Sequence, residues 1–408
     1  RFAKSLVAAW AEANNLGEAG YQTETPCDGY KGAYINEIAA RVQAEAESDG
    51  VDLTALAHQD QGLNDDGEPL GEADTEVREE FRKRAVPMMF DEIQKSMKDF
   101  RVNFDVWFHE NSLYADGKVD AAIEELKSRG DIFDKDGATW FESTKHGDDK
   151  DRVIIKSNGE FAYFAADIAY YWDKRHRAEN SADVAIYMLG ADHHGYIGRM
   201  MAMCAAFGDE PGKNMQILIG QLVNVMKDGK PVRMSKRTGN AITLTDLLEE
   251  VPIDSARFLF NMHDAGSGID FDLDQAVKTD NDNPVYYVQY AHARICSILK
   301  KMESEGVQFA GAEQVDATLL TEPSEMDLIR MLAAFPQEIV MAAEKYDPSR
   351  INRFVIDLAS AFHRFYGNCR IQGADPAVQQ ARLALCIGVK NVIFNVLTMF
   401  KITVPEKM

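Results

Sequence analysis

The sequence lacks several features that mark specialised classes of protein. No Cys-x-x-Cys pair occurs among its five scattered cysteines, which are Cys27, Cys204, Cys296, Cys369 and Cys386. A disulfide framework and a zinc knuckle are therefore not expected, and a reducing cytosol is favoured. The longest apolar runs fall short of the roughly 20 residues that cross a bilayer, and residues 1–5 show no signal-peptide pattern. We expect a cytoplasmic protein with no membrane partner.

An excess of positive charge is also absent. The formal net charge is −22, which by itself argues against a nucleic-acid partner because phosphate binding needs Lys and Arg. The acids are concentrated, however: residues 45–80 hold thirteen Asp and Glu against Arg78 alone, whereas residues 284–408 hold thirteen residues of each sign. A solvated surface is the common explanation of such an acidic stretch. A neutral C-terminal part on an acidic body could also orient a polyanion.

The sequence does contain enough apolar residues to form large hydrophobic cores. Hydrophobic residues make up 46% of the chain, and its length of 408 residues suggests two or three domains. Residues 76–98 and 118–129 show helical periodicity. Val184–Leu189 then predicts a strand, Gly190–Gly195 its loop and Tyr196–Phe207 a helix, the βα step of a parallel doubly wound sheet. Further strands are predicted at Val153–Ile155, Phe161–Phe164, Met215–Ile219 and Leu222–Val225, the last followed by an Asp228-Gly229 hairpin turn.

The pattern becomes helical throughout after Asn283. Apolar positions recur every three or four residues from Val285 to Met302, and Asn283-Pro284 has the form of a helix start. Further helices are predicted at about 325–345, 349–367 and 376–400. We therefore predict an α/β fold, with a parallel doubly wound, Rossmann-like domain over residues 1–278 and an all-α helical bundle over residues 279–408.

A basic loop follows the predicted hairpin, with the sequence RMSKRTGN at 233–240. Basic side chains, a hydroxyl and backbone amides suit a triphosphate, although such a loop is more often a solvated turn. Its form resembles the KMSKS signature of class I aminoacyl-tRNA synthetases. Arg233 stands for the first lysine, Lys236 keeps the second, and Arg237 stands for the last serine.

Other stretches narrow this resemblance to one family. Together they resemble arginyl-tRNA synthetase of the bacterial type over nearly the whole chain: DGYKGAYI (28–35), SNGEFAYFAADIAYYWDK (157–174), IYMLGADHHGYIGRM (186–200), RMSKRTGNAITLTDLLEEV (233–251), DFDLDQA (270–276) and NPVYYVQYAHARICSI (283–298). The ending, LALC (383–386) through VPEKM (404–408), is similar too.

The other class I signature, HIGH, has no counterpart in these residues. His193-His194-Gly195-Tyr196 belongs to the GADHHG loop. In the family, HIGH and an N-terminal tRNA-contacting domain precede the segment where this sequence begins, so we expect the chain to lack an N-terminal portion. A non-catalytic tRNA-binding relative, or a fragment of a class I synthetase, stays open as the alternative. A cysteinyl enzyme would need clustered Cys and His for zinc, and the sequence has no such cluster.

The resemblance implies a reaction and a division of the chain. Residues 1–278 would be the remainder of the class I catalytic domain, with an insertion at about 28–150 and the KMSKS-like loop at 233–237. Residues 279–408 would be the anticodon-binding domain. The chain would join L-arginine to its tRNA, using ATP with Mg²⁺ as substrate, through arginyl-adenylate with release of pyrophosphate. We expect a monomer with no structural metal.

The resemblance also assigns site residues. Asp167 would pair with the guanidinium of arginine, as a carboxylate does, with Tyr163 and His193 beside it. Without the resemblance, a helix-start Asp preceded by a core Tyr would be the simpler interpretation. ATP would be bound by Gly190, Asp192, His194, Met234 and Lys236, and catalysis would use Lys236, Ser235 and Arg233.

The helix that opens the C-terminal domain would contact tRNA. Aromatic and basic side chains stack on unpaired bases, although some of these rings must face the core. The predicted contacts are Tyr287, Tyr290, His292, Arg294 and the chain end at Met408. We favour Tyr290 and Arg294 among them.

Overall fold

The computed structural model describes residues 1–19, 23–59, 76–232 and 242–408. Within these ranges most of the chain is helical, with three small sheets. The α-helices are α1 (Phe2–Ala13), α2 (Ala33–Ser48), α3 (Leu53–Gln59), α4 (Glu76–Asp99), α5 (Asn111–Ala115), α6 (Lys118–Ser128), α7 (Tyr163–His176), α8 (Ile197–Ala206), α9 (Leu244–Glu250), α10 (Ile253–Phe260), α11 (Leu273–Ala276), α12 (Pro284–Ser304), α13 (Pro323–Lys345), α14 (Ser349–Asn368) and α15 (Pro376–Met399). The strands are β1 (Ile132–Lys135), β2 (Ala138–Phe141), β3 (Arg152–Ile155), β4 (Ala185–Gly190), β5 (Met215–Gly220), β6 (Val223–Lys227), β7 (Lys230–Pro231) and β8 (Ile269–Asp272).

The predicted parallel unit is present. Strands β4 and β5 pair in parallel, in register from Ala185 opposite Met215 to Gly190 opposite Gly220, with α8 as the crossover between them. Strand β6 pairs in parallel with β8 and antiparallel with β7. The hairpin between β6 and β7 turns at Asp228 and Gly229, whose φ angles of 51° and 69° are the left-handed values that such a two-residue turn requires.

One predicted strand is wrong and one hairpin was not predicted. Phe161 makes only an isolated bridge to Ile155, and α7 begins at Tyr163 because the alanine-rich segment that follows can bury one helical face. The missed hairpin joins β1 and β2 through Asp136 and Gly137, both at positive φ. Its Asp-Gly pair is the same signal that identified the later turn.

The C-terminal helices form a bundle, as predicted. Helices α12 to α15 share one buried core, which includes Val288, Ile295, Phe362 and Val389. By length and composition α15 is the one helix of the described ranges that could cross a membrane. Here it packs against α12, α13 and α14 within that core.

The start of α12 ties the bundle to the α/β part. The Asn283 side-chain oxygen caps the helix by accepting from the Val285 amide at 3.3 Å, and Pro284 follows as the first helical residue. The buried Asn283 amide group donates to Ser255 Oγ and to the carbonyls of Ala276 and Lys278. The predicted helix start is therefore also a junction, because its cap holds α10 and α11 against α12.

Asp254 on α10 forms a second junction. Its carboxylate accepts from Arg101 at 2.6 Å, from Gln289 on α12 at 3.1 Å and from the Thr403 amide of the C-terminal tail at 3.2 Å. One carboxylate thus connects segments that follow α4 and α15 to helices α10 and α12.

Replacing this carboxylate should destabilise the fold. Asp254→Ala leaves a guanidinium, an amide and a backbone N–H without their acceptor, and we expect a loss of about 2–3 kcal/mol in the free energy of unfolding. Urea denaturation followed by circular dichroism measures it. The control is Asp357→Ala, on the exposed side of α14, which should shift the midpoint little. Equal midpoints for the two variants would contradict the junction's role.

Candidate functional site

Four of the predicted site residues meet at the carboxyl edge of the β4–β5 pair. Strand β4 ends at Gly190, and Asp192, His193 and His194 follow in a short 3₁₀ segment that leads into α8. All three side chains are exposed at this edge. A Cβ atom at position 190 would lie 2.7 Å from Asp192 Oδ1. Glycine avoids this close contact, and the end of the strand therefore presents only backbone atoms. Ligands of doubly wound folds bind at such an edge.

Helix α7 supplies the predicted arginine-binding pair. Tyr163 is its first residue and Asp167 lies one turn later on the same face. The Tyr163 ring is 90% exposed, whereas Asp167 is half-buried. The helix is fixed from behind, because Phe164, Ile168 and Tyr171 belong to the core of the α/β part. The exposed tyrosine and the sheltered carboxylate therefore stand on a rigid element.

The Asp167 carboxyl has a strongly raised pKa. Burial, followed by repulsion from Glu110, raises the pKa of Asp167 to about 6, although Lys174, Arg199 and His193 act in the opposite direction. An acid held in this state would be relieved by a bound cation. Perturbed carboxyl groups of this kind are concentrated at functional sites.

Glu110 was missed by the sequence reasoning. It lies just before α5, yet its charge acts on Asp167, and burial together with the charges of Glu110 and Asp167 raises the pKa of Tyr114. Two carboxylates thus face the same small region. Glu110 lies far from Asp167 in the sequence and belongs to no recognisable motif, so only the fold reveals the pair.

The predicted catalytic loop lies outside the described residues. This holds for Arg233, Met234, Ser235 and Lys236, whose assignments stay predictions. Val232 and Ile242, the described neighbours on either side, line a cavity of about 990 Å³ together with residues of β6 and α9.

The predicted tRNA-binding residues of α12 occupy different environments. Tyr290 and Arg294 form a cluster with α14: Arg294 donates to the Tyr290 hydroxyl at 2.9 Å and lies 5.3 Å from the Tyr366 ring centre. The Tyr287 ring packs 5.0 Å from that of His363. Burial and the Arg294 charge lower the pKa of His363 to about 4. An uncharged histidine therefore supports the arginine.

His292 and Met408 are connected through the C-terminal tail. His292 is only 2% exposed, and its Nδ1 lies 2.9 Å from the Pro405 carbonyl. The next tail residue, Glu406, forms an ion pair with Lys300 at 2.8 Å. Met408 itself is 47% exposed. The structure thus places His292 where it holds the tail, while Met408 is free to make contacts.

No group of three or more His, Cys, Asp or Glu side chains arranged to hold a metal ion occurs in the described ranges. The pair of histidines at the strand edge therefore has no third ligand there.

Comparison with known families identifies the chain. A family model for the class I (R) tRNA synthetase catalytic domain matches residues 69–282, more than half of the chain, and a DALR anticodon-binding domain model matches residues 288–408. The arginine–tRNA ligase of Bifidobacterium longum is 69% identical over 100% of this chain and 69% of its own length. The chain belongs to the arginyl-tRNA synthetase family.

A further relative agrees with this family assignment, and a solved structure agrees in fold. The arginine–tRNA ligase of Bifidobacterium adolescentis is 56% identical over 100% of this chain and 70% of its own length. The arginyl-tRNA synthetase structure from Thermus thermophilus covers 98% of this chain, and this chain covers 74% of it, with a TM-score of 0.70 at 18% identity. The predicted family, the class I catalytic fold with its helical anticodon domain, and the prediction of an aminoacyl-tRNA ligase are confirmed. The division at residue 278 stays a prediction.

The Asp167 carboxylate should reduce the stability of this synthetase at neutral pH. Its pKa is about 6 in the folded protein against an ordinary 3.8, so the folded state binds more protons between these values and loses stability as pH rises through that window. We expect Asp167→Asn to raise the melting temperature at pH 7.5, with the gain vanishing near pH 4.

Differential scanning calorimetry across this pH range checks the expectation. Asp120→Asn is the control, because Asp120 lies exposed in the first turn of α6, where an acid favours the helix. That variant should melt slightly lower at pH 7.5. A lower melting temperature for Asp167→Asn at pH 7.5 would contradict the analysis.

Proposed function

We propose that this chain activates L-arginine with ATP to arginyl-adenylate and transfers the arginyl group to the 3′-terminal ribose of its tRNA. The observation that carries the proposal is Asp167, a partly buried carboxylate held next to Glu110 at the ligand edge of a class I fold. A guanidinium supplies the charge that this pair lacks. It also matches a carboxylate with two parallel N–H donors.

Substrate recognition follows from this arrangement. The arginine side chain would donate to Asp167, with the Tyr163 ring and hydroxyl at its flank and His193 at the strand edge. Because Glu110 adds a second negative charge, a neutral side chain of the same shape would leave the carboxylates without a counter-charge. We therefore propose that the site selects by charge as well as by length.

The nucleotide would lie along the same edge. The bare backbone at Gly190 allows close approach of ATP, and Asp192 and His194 line the segment that follows. Met234 and Lys236 would reach it from the loop at 233–237. Mg²⁺ would accompany ATP as part of the substrate complex.

The chemistry needs no covalent enzyme intermediate. The arginine carboxylate oxygen attacks the α-phosphorus of ATP, the bond to the β-phosphate oxygen breaks, and pyrophosphate leaves. A ribose hydroxyl of the tRNA then attacks the arginyl carbonyl and AMP leaves. Catalysis is positioning and charge stabilisation, with Lys236 stabilising the leaving pyrophosphate and Ser235 and Arg233 assisting it.

The helical domain would hold the tRNA. Tyr290 and Arg294 offer a ring and a cation, with Tyr287 beside them. His292 would act through the tail that it holds, and Met408 at the end of that tail would contact the anticodon region. We propose residues 1–278, with an insertion at about 28–150, as the catalytic part and 279–408 as the anticodon-binding part of a cytoplasmic, monomeric enzyme.

Arginylation of tRNA with labelled arginine and ATP tests the reaction. Excess unlabelled arginine should abolish incorporation, whereas citrulline, which has nearly the same shape without the charge, should not compete. Lys236→Met should lower the rate of pyrophosphate formation by about 10²–10³-fold with little change in the KM for arginine. Lys230→Met, in the neighbouring hairpin, is the control. Loss of activity in both variants, or competition by citrulline, would contradict the assignment.

Asp167→Ala tests the substrate site. Removal of the carboxylate should cost about 3–5 kcal/mol of arginine affinity, because a guanidinium would be desolvated without its partner. The KM for arginine should then rise by at least two orders of magnitude while the KM for ATP stays nearly constant. In the unmodified enzyme, kcat/KM for arginine should fall as pH drops below about 6, where Asp167 takes up a proton. An unchanged KM for arginine in the variant would refute the site.

A further inference from the structure

Helix α7 continues the arginine-binding face beyond Asp167. Tyr170 and Lys174 follow Asp167 by three and seven residues, so the three side chains share one face of the helix. Side chains on a helix lean toward its N-terminus. The long side chain of Lys174 therefore extends toward Asp167, although their backbones are about 10 Å apart along the axis.

The Lys174 ammonium is held between two aromatic rings. Its Nζ lies 3.4 Å from the ring centre of Tyr170 and 4.2 Å from that of Tyr187 on β4. The Tyr170 ring is itself stacked on Phe108, with ring centres 4.2 Å apart. Such contacts fix a cation in place. In the part of the chain that the structure describes, no carboxylate oxygen lies within 4.0 Å of Lys174, so this cation has no direct ion-pair partner.

The position of this cation needs an explanation. Burial, together with the nearby Arg177, lowers the pKa of Lys174 to about 8, while Asp167 and Asp173 act in the opposite direction. A partly desolvated lysine without a direct partner costs free energy. Asp173 is already bonded to Lys118 at 2.8 Å and paired with Arg177 at 2.9 Å. Asp167, on the same face, has no such bond to any residue that the structure describes.

We propose that Lys174 is a positioning residue of the arginine site: held between Tyr170 and Tyr187, it keeps Asp167 ionised and ready to accept the guanidinium. The proposal rests on the proposed function of Asp167. It assigns Lys174 no contact with the substrate. Its charge offsets part of the repulsion between Asp167 and Glu110, so that two carboxylates coexist before arginine arrives.

Several groups surround Asp167 and enter any pH profile. They come from the segment before α5, α5 itself, α7, β4, the 3₁₀ segment and α8, and they are Glu110, Tyr114, Lys174, Tyr187, His193 and Arg199. Arg199 also lies over two rings, those of Tyr196 and Phe164, but it is on α8, whereas Lys174 is on the helix that carries Asp167.

The test uses the intact enzyme and compares Lys174→Met with Lys174→Arg. Lys174→Met keeps the apolar stem between the rings but removes the charge. We expect the KM for arginine to rise about twofold at pH 7 and about tenfold at pH 5, with kcat and the KM for ATP nearly unchanged at both. The acid limb of kcat/KM for arginine should move to higher pH by about one unit. Lys174→Arg keeps a cation that stacks on tyrosine and should restore most of the affinity and the original limb.

Matched controls separate the possible outcomes. Lys213→Met removes an exposed lysine of the same α/β part and should change nothing. Lys174→Gln, a neutral polar variant, replaces Lys174→Met if that protein does not fold. In an Asp167→Ala background, Lys174→Met should have no further effect on the KM for arginine, because the carboxylate that it serves is gone.

Three results would overturn the inference. If Asp167→Ala raises the KM for arginine and Lys174→Met does not, the site stands and the role of Lys174 fails. If neither variant changes it, the proposed function of Asp167 fails too. If Lys174→Met raises the KM values of arginine and ATP equally and leaves the acid limb in place, Lys174 is only a packing residue.

Discussion

The parallel pairing of β4 with β5 is the constraint on which the candidate site depends. Six consecutive residue pairs bring the two strand ends, Gly190 and Gly220, to one edge. The segment that carries Asp192 and His193 begins there because the strand ends there. Helix α7 packs its apolar face into the same core, which leaves its Asp167 face toward that edge. A shift of this register would separate the strand-edge residues from the helix.

Repulsion between like charges distinguishes the candidate site from the ion pairs elsewhere in the described residues. Many ion pairs of the described ranges join exposed side chains and contribute little to stability, and the buried ones, such as Arg382 with Glu325, join opposite charges. The half-buried Asp167 carboxylate is instead repelled by the exposed Glu110, with Lys174 held between two rings on the same helix face. Such an arrangement is unfavourable in the free protein. In the proposed function, a guanidinium that enters the site would supply the missing positive charge and relieve this repulsion.

The two halves of the chain are joined through polar groups as well as through Phe258 of α10, which is buried in the core of the helical bundle. The Asn283 side-chain amide donates hydrogen bonds to α10 and α11, and the Asp254 carboxylate accepts hydrogen bonds from Arg101 and from Gln289 on α12. The tail after α15 is bonded at Asp254, at His292 and at Lys300. The end of the tRNA-binding domain is thereby connected to α10, a helix of the catalytic part.

The sequence by itself determined the family, the βα unit, the Asp-Gly turn and the helical C-terminal part, because each depends on local periodicity or on a contiguous motif. It also predicted Asp167 and Tyr163 as arginine-binding residues, but only through the resemblance. The fold alone decided that α7 replaces a strand at Phe161–Phe164, since that outcome depends on which apolar face finds a core. It alone brought Glu110 and Tyr187 to Asp167 and buried His292 beneath the tail. These are contacts between distant segments, and charge and burial act through space, which no local pattern in the sequence records.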